Sequence, residues 1–165
     1  MTVSVARDPL HILVADDSRD TVESFSLLLA LWGHKVFPAH DGTQALAVAK
    51  ERRLDLAMLD LAMPGQDGLA LAKILRHQVP LVWAVTGYGD PEHQRACEEA
   101  GFDAVLLKPV DPVRLRDVLT EAAALVAQSK LLVGRTQELI DQAKRLCADR
   151  WKVAIPAKEN MAAPL

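Results

Sequence analysis

Short apolar runs alternate with amphipathic stretches along most of the chain. The runs predict strands near residues 10–15, 35–38, 54–59, 81–85 and 104–107. Apolar positions at helical spacing predict helices at about residues 19–32, 43–53, 69–77 and 91–101, and a fifth from residue 112 onward. Alternation of strands and helices is typical of a parallel sheet covered on both faces. The predicted fold class is therefore α/β, with a doubly wound five-stranded sheet.

The length of 165 residues is enough for one domain and a short appendage. We expect an N-terminal arm at residues 1–8, the α/β domain at residues 9–127 and a C-terminal extension at residues 128–165. The extension is too short for a second full domain. In particular, it has no room for a winged helix or a helix-turn-helix output domain, so DNA binding is not expected.

The extension carries a helical pattern of its own. Apolar residues recur at positions i, i+1, i+4, i+7 and i+8, namely Leu139, Ile140, Ala143, Leu146 and Cys147. This predicts an amphipathic helix at about residues 136–151, preceded by a hinge at Gly134 and followed by a disordered end at residues 155–165. A helix this short is marginal alone in water. Three arrangements are open: it covers its own domain, pairs with a second copy, or seats a partner.

Composition and charge narrow the class of protein. Cys97 and Cys147 lie outside any metal-binding or disulfide pattern, and no segment has the length of a membrane span or the apolar core of a signal peptide. A cytosolic location is therefore expected. Residues 1–126 carry a net charge of −6 and residues 127–165 a net charge of +3. The acidic body argues against nucleic acid and suits a divalent cation or a basic partner.

Polar residues follow the predicted strands at their C-terminal ends. Asp16 and Asp17 follow the first strand, Asp60 the third, Thr86 the fourth and Lys108 the fifth. By itself, an Asp such as Asp60 after a strand is more often the N-cap of the following helix. In a doubly wound sheet, however, the C-terminal strand ends lie along one edge, so all five side chains are expected to meet.

A cluster of three carboxylates needs a cation. At about 4 Å and an effective dielectric constant near 20, each pair of carboxylates repels by roughly 4 kcal/mol. Oxygen ligands with room for water suit Mg²⁺. Lys108 and the Thr86 hydroxyl would then supply a cation and a donor for an anionic group. This combination indicates phosphoryl transfer with a carboxylate as the acceptor.

The sequence resembles the receiver domain of two-component response regulators over roughly residues 9–127. The motifs that carry the resemblance are Asp16-Asp17, the segment DLAMPGQDG from Asp60, Thr86-Gly87, Lys108-Pro109, and the phrases Gly33-His34-Lys35-Val36 and Asp41-Gly42-Thr43-Gln44-Ala45-Leu46. The resemblance implies a flavodoxin-like fold with strand order 2-1-3-4-5. Because the C-terminal extension is too short for an output domain, we expect a stand-alone, chemotaxis-regulator-like receiver whose output is protein binding.

The resemblance implies a role for each motif residue. Asp60 would accept a phosphoryl group from a phosphohistidine of a sensor histidine kinase or a histidine phosphotransfer protein. Asp16, Asp17, Asp60 and the backbone carbonyl of Ala62 would hold Mg²⁺. Lys108 would contact the phosphoryl oxygens, and the Thr86 hydroxyl would reach a phosphoryl oxygen once Asp60 is modified.

The chain departs from the family pattern near the site. Many receivers have an aromatic switch residue three positions before the lysine, whereas this chain has Val105. Tyr88, two residues after Thr86, is either a partial substitute or a surface residue. Neither Tyr88 nor Ala62 has a carboxylate or amide to orient an attacking water, so we hypothesise a long-lived acyl phosphate.

Two other functions share part of this sequence pattern. A haloacid-dehalogenase-type phosphohydrolase also forms an aspartyl phosphate and needs Mg²⁺, but it carries a DxD pattern after the first strand, where this chain has Asp16-Asp17-Ser18. An unphosphorylated scaffold would not need the complete acidic set. A phosphoacceptor signalling protein, not an enzyme acting on other substrates, is therefore the favoured interpretation.

Overall fold

The computed structural model describes residues 9–65 and 67–154, and for residue 143 and residues 145–154 the backbone alone. The predicted N-terminal arm (1–8) and disordered end (155–165) lie outside the described residues. The strands are β1 (His11–Ala15), β2 (Lys35–Ala39), β3 (Leu56–Leu59), β4 (Leu81–Thr86) and β5 (Ala104–Leu107). The helices are α1 (Arg19–Leu31), α2 (Gly42–Glu51), α3 (Gly68–Leu75), α4 (Pro91–Ala100) and α5 (Pro112–Ala154).

All five strands form one parallel sheet in the order β2-β1-β3-β4-β5. Within it Ala15 of β1 pairs with Ala39 of β2 and with Leu59 of β3. β1 and β3 are therefore neighbours in the middle of the sheet, although helix α2 and strand β2 lie between them in sequence. The predicted α/β class, flavodoxin-like strand order and five helices are confirmed.

Side chains alternate between the two faces of the sheet because strands have a period of two residues. On β1, Ile12 packs with helices α1 and α5, whereas Leu13 packs with helices α2, α3 and α4. Trp83 of β4 is 3% exposed and packs in the same core as Ile12. Both faces are covered, which explains why the central strands read as continuous apolar runs.

Helix starts are fixed by short polar side chains. Ser18, Asp41, Asp67 and Asp90 each cap a helix by accepting a hydrogen bond from a backbone N–H in its first turn. Helix α4 ends at Gly101, whose φ of 87° lies in the left-handed region that favours glycine. The cap of α3 is Asp67, so Asp60 is not the helix cap that its sequence position alone allowed.

Helix α5 differs from the prediction. The sequence indicated a fifth helix, a hinge at Gly134 and a second helix at residues 136–151, whereas the structure has one helix from Pro112 to Ala154. The reason is that no proline interrupts this segment, and a glycine inside a helix costs only about 1 kcal/mol relative to alanine.

The chain divides into two compact units, residues 1–126 and residues 127–165. In the second unit every described residue up to Gln142 is exposed. Over the described part of the chain, no helix is both long and apolar enough to cross a membrane.

Gly68 lets the first turn of α3 lie directly against the loop that follows β3. A Cβ atom at this position would lie 2.8 Å from the carbonyl oxygen of Asp60 and 2.8 Å from the Cα atom of Leu61. These are backbone atoms, which cannot rotate away. We expect Gly68→Ala to lower the free energy of unfolding by about 1–3 kcal/mol, the usual cost of overpacking. Urea unfolding followed by tryptophan fluorescence measures it.

Gly134→Ala is the matched control, because no atom lies within 4 Å of a Cβ atom built on Gly134 and the residue is inside a helix. It should leave the unfolding midpoint of the first unit unchanged. Equal midpoints for Gly68→Ala and wild type would show that the loop after Asp60 yields easily, contrary to this account.

Candidate functional site

The polar residues predicted to meet do lie at the C-terminal edge of the sheet. Asp16 and Asp17 follow β1, and Asp60 follows β3, its direct neighbour. Thr86 is the last residue of β4. Lys108 follows β5, and its backbone N–H donates to the carbonyl of Thr86 at 2.9 Å. Strand order alone therefore brings these five residues to one edge.

Three carboxylates form the centre of the site. One oxygen from each of Asp16, Asp17 and Asp60 lies within 4.8 Å of the others, which is a spacing that can hold a metal ion. Asp16 and Asp60 are 3% and 5% exposed, whereas Asp17 is exposed. Two charges are thus withdrawn from water, and the third faces solvent at the rim. All three donors are oxygens, which suits a hard cation such as Mg²⁺.

Lys108 bridges the two buried carboxylates. Its Nζ atom lies 2.7 Å from Oδ2 of Asp16 and 3.2 Å from Oδ1 of Asp60. The side chain is 30% exposed, so the ammonium reaches the carboxylates from the rim. Asp16 is further held by the backbone N–H of Ser18, which donates to its Oδ1 at 2.9 Å. Asp60 is held by the backbone N–H of Ala62, which donates to its Oδ2 at 3.3 Å.

The pKa values of Asp60 and Lys108 are both raised, for different reasons. Burial raises the pKa of Asp60, and the Asp16 carboxylate raises it too, while Lys108 and the Ala62 N–H only partly offset them. Burial tends to lower the pKa of Lys108, but its hydrogen bond to Asp16 and the charges of Asp60 and Asp16 outweigh burial and raise that pKa. Lys108 therefore stays charged, whereas ionisation of Asp60 lowers the stability of the folded state.

Thr86 is buried at the end of β4, and its hydroxyl oxygen accepts the backbone N–H of Tyr88 at 3.1 Å. Tyr88 is half exposed and its ring stacks on the ring of His93, with the centroids 4.9 Å apart. Nδ1 of His93 lies 2.6 Å from Oδ2 of Asp90, the cap of α4. Thr86 is thus two residues from a stacked pair anchored on the first turn of α4.

Sequence reasoning missed some of these features. It did not indicate that His93 stacks on Tyr88, and it did not identify Gly68 as the residue that brings α3 against the backbone of Asp60. It also assigned Lys108 to an incoming phosphoryl group and not to Asp16. Lys108 and Asp16 are 92 residues apart, so no local sequence pattern indicates their contact. Gly68, in contrast, is visible in the sequence as a glycine at the start of a predicted helix, and a glycine there can indicate close packing against another backbone segment.

Val105 stands at the position where many receivers have an aromatic switch residue. Val105 is partly buried and packs on the core shared with α3 and α4. Leu107, further along β5, is half exposed and faces the β4–α4 loop, where a Cβ atom on Gly89 would lie 2.9 Å from its Cδ1. This side of β5 is therefore aliphatic.

Comparison with known proteins identifies the family. The family model described as the response regulator receiver domain matches residues 12–120. The chain belongs to this family. The resemblance noted from the motifs is thereby confirmed.

Individual relatives are longer than this receiver. The sensory/regulatory protein RpfC of Xanthomonas campestris pv. campestris is 36% identical over 126 residues, which are 72% of this chain and 17% of that protein. The DNA-binding response regulator MtrA of Mycobacterium tuberculosis is 36% identical over 107 residues, 64% of this chain and 46% of that protein. The chain thus spans between about a sixth and a half of the relatives it matches.

A solved structure also matches most of the chain. It is a CheY-like response regulator receiver domain protein from Methanospirillum hungatei, 27% identical, with a TM-score of 0.69. The match covers 73% of this chain and 98% of that one. The part of this receiver that it matches therefore has the extent of a whole receiver domain.

The buried charge of Asp60 makes a prediction about stability. Because its pKa is raised in the folded state, that state keeps the Asp60 proton to higher pH than the unfolded chain does. Its contribution to stability is present at acidic pH and is lost as the pH rises through the folded-state pKa. We expect Asp60→Asn to stabilise the metal-free protein at pH 7, by on the order of 1 kcal/mol. Urea unfolding at pH 7 and near pH 4 in the presence of a chelator measures this.

The advantage of Asp60→Asn should shrink at the acidic pH, where the wild-type carboxyl is protonated. Asp67→Asn is the matched control, because Asp67 is exposed on the same loop and asparagine also caps helices well. It should change stability little at either pH. A less stable Asp60→Asn protein at pH 7 would contradict the assigned cost.

Proposed function

We propose that this receiver is a phosphoacceptor of a two-component or phosphorelay system, with Asp60 as the residue that is phosphorylated. The observation that carries the proposal is the buried Asp60 carboxylate beside Asp16 and Asp17, with Lys108 Nζ at 3.2 Å from it. The donor would be the phosphohistidine of a sensor histidine kinase or of a histidine phosphotransfer protein. Membership in the receiver family supports this choice of donor.

The donor set fits Mg²⁺. Asp16, Asp17 and Asp60 supply carboxylate oxygens, and we assign the backbone carbonyl of Ala62 as a further ligand. With Lys108, these three carboxylates have a formal net charge of −2, which one divalent cation neutralises. When bound, Mg²⁺ supplies charge neutralisation for the phosphoryl oxygens.

In the proposed reaction a carboxylate oxygen of Asp60 attacks the phosphorus atom. A P–O bond to Asp60 forms and the P–N bond to the donor histidine breaks, so the imidazole leaves with the electron pair. Lys108 lies next to Asp60 and can stabilise the negative charge of the phosphoryl oxygens. The hydroxyl of Thr86 would donate to a phosphoryl oxygen, while it continues to accept the N–H of Tyr88.

We infer that the output is protein binding, in the cytoplasm, without DNA or membrane contact. The buried free thiol of Cys97 suits a reducing compartment. The DNA-binding relative MtrA matches over only 46% of its length, so its resemblance to this chain lies within that part. The net negative charge of residues 1–126 also disfavours nucleic acid.

Labelling with a small phosphodonor tests the proposal directly. With Mg²⁺ and acetyl phosphate, wild type should gain one phosphoryl group per chain, as measured by intact mass. Asp60→Asn should gain none, because an amide oxygen does not form the acyl phosphate. Asp67→Asn, which changes an exposed carboxylate on the same loop, should be labelled like wild type.

The alternative phosphohydrolase predicts a different result in the same experiment. Sustained turnover of small phosphate esters, lost in Asp16→Asn but retained in Asp60→Asn, would replace the proposal. Equal labelling of wild type and Asp60→Asn would show that another residue is the acceptor. Labelling that does not change when Mg²⁺ is chelated would contradict the assigned metal.

The lifetime of the acyl phosphate is a separate prediction. Ala62 and Tyr88 flank the acceptor without a carboxylate or a carboxamide that would orient an attacking water. We expect Ala62→Asn to shorten the lifetime several-fold, because the amide can hold a water near the phosphorus atom. Release of inorganic phosphate from labelled protein, after removal of the donor, measures the lifetime. Ala62→Val, similarly free of polar groups, is the control, and equal lifetimes for Ala62→Asn and wild type would refute the idea.

A further inference from the structure

The second unit carries a seven-residue repeat that the phosphoacceptor site does not explain. Leucine or valine recurs every seven residues along α5, at Leu125, Leu132, Leu139, Leu146 and Val153. Residues seven apart on a helix lie within about 20° of each other around the helix axis. The repeat therefore places one row of large aliphatic residues along the helix.

Two further rows run beside the leucines. The residue after each leucine of the second unit is also apolar, and the residue three positions before it is small. We call these nine residues the heptad stripe: Ser129, Leu132, Val133, Thr136, Leu139, Ile140, Ala143, Leu146 and Cys147. Small residues between the leucines allow close approach of a second helix.

Charge avoids the heptad stripe. Between residues 129 and 147 the chain has six charged residues, and all of them lie at other heptad positions: Lys130, Arg135, Glu138, Asp141, Lys144 and Arg145. The described members of the stripe are exposed, with Leu132 at 60%, Val133 at 66%, Leu139 at 59% and Ile140 at 42%. An exposed, uncharged row of this length needs a covering surface.

The seven-residue period indicates which kind of surface can cover the heptad stripe. A strict seven-residue repeat stays aligned over several turns only with another helix that winds around it with the same repeat. Among the other helices that the structure describes, the longest is α1 with 13 residues. The part of α5 in the second unit, residues 127–154, is about 42 Å long at 1.5 Å per residue. A helix of equal length and equal repeat is available in a second copy of the chain.

We propose that the heptad stripe pairs with the heptad stripe of a second copy, so that the protein is a dimer held by a coiled coil of residues 127–154. The 28 residues that each copy brings are four heptads, and a repeat sustained over roughly three to four heptads is typical of coiled coils. Phosphorylation is not required, because the stripe involves none of the residues at the acidic edge. The dimer therefore forms equally in the Asp60→Asn variant.

Sedimentation velocity on the full chain between about 1 and 100 µM tests the proposal. Wild type and Asp60→Asn should both sediment as dimers. Leu139→Asp should weaken the dimer at least 100-fold, because it puts a charge in the centre of the stripe. Leu131→Asp is the matched control, since Leu131 is 73% exposed on the same helix but lies about 100° from Leu132 and off the stripe. It should remain a dimer.

A substitution by aspartate also disfavours helix, so Leu139→Ala is the second variant. It keeps helix propensity and should still weaken the dimer about tenfold, with the receiver fold checked by near-ultraviolet circular dichroism. A wild type that is monomeric at 100 µM overturns the proposal. The heptad stripe would then pack on its own receiver domain or bind a different protein. Equal weakening by Leu131→Asp and Leu139→Asp overturns the proposal as well, as does a dimer that neither Leu139 variant affects.

Discussion

The bridge from Lys108 to Asp16 and Asp60 is the interaction on which the site depends. It joins the ends of β1, β3 and β5, which are separated by most of the domain in sequence. Two buried carboxylates without this cation would repel each other by several kcal/mol. The parallel strands bring these groups to one edge, and in the observed order β1 and β3 are adjacent and β5 lies two strands beyond β3. The strand order therefore also determines which charged groups balance each other in the site.

This arrangement leaves the site incompletely neutralised. Lys108 compensates one of three carboxylate charges, and burial still raises the pKa of Asp60. A folded protein that keeps an unbalanced charge in a buried position gives up stability there. The same imbalance makes the site receptive to a divalent cation and to the charge changes of phosphoryl transfer. In the function we propose, the burial that lowers stability at this edge also sets the environment of the acceptor carboxylate.

Much of this arrangement could be predicted from the sequence, because the relevant signals are local. The apolar runs gave each strand to within about two residues, since a strand buried on both faces must be apolar along its length. Strand ends then placed Asp16, Asp60 and Lys108 at one edge. The contact from Lys108 to Asp16 was not predictable, because a lysine side chain reaches any acceptor within several ångströms. The continuity of α5 was not predicted, because Gly134 was interpreted as a hinge. A glycine inside a helix costs only about 1 kcal/mol relative to alanine, which is too little to end the helix.

A chain of contacts connects Thr86, at the acidic edge, to helix α4. Val105 has no ring that can swing between buried and exposed positions, and it packs on the core. Tyr88, in contrast, is bonded through its backbone N–H to the Thr86 hydroxyl and stacked through its ring on His93. Because Nδ1 of His93 lies 2.6 Å from the cap residue Asp90, these contacts connect Thr86 to the first turn of α4. The connection passes through Tyr88 and His93, so it involves no aromatic residue on β5.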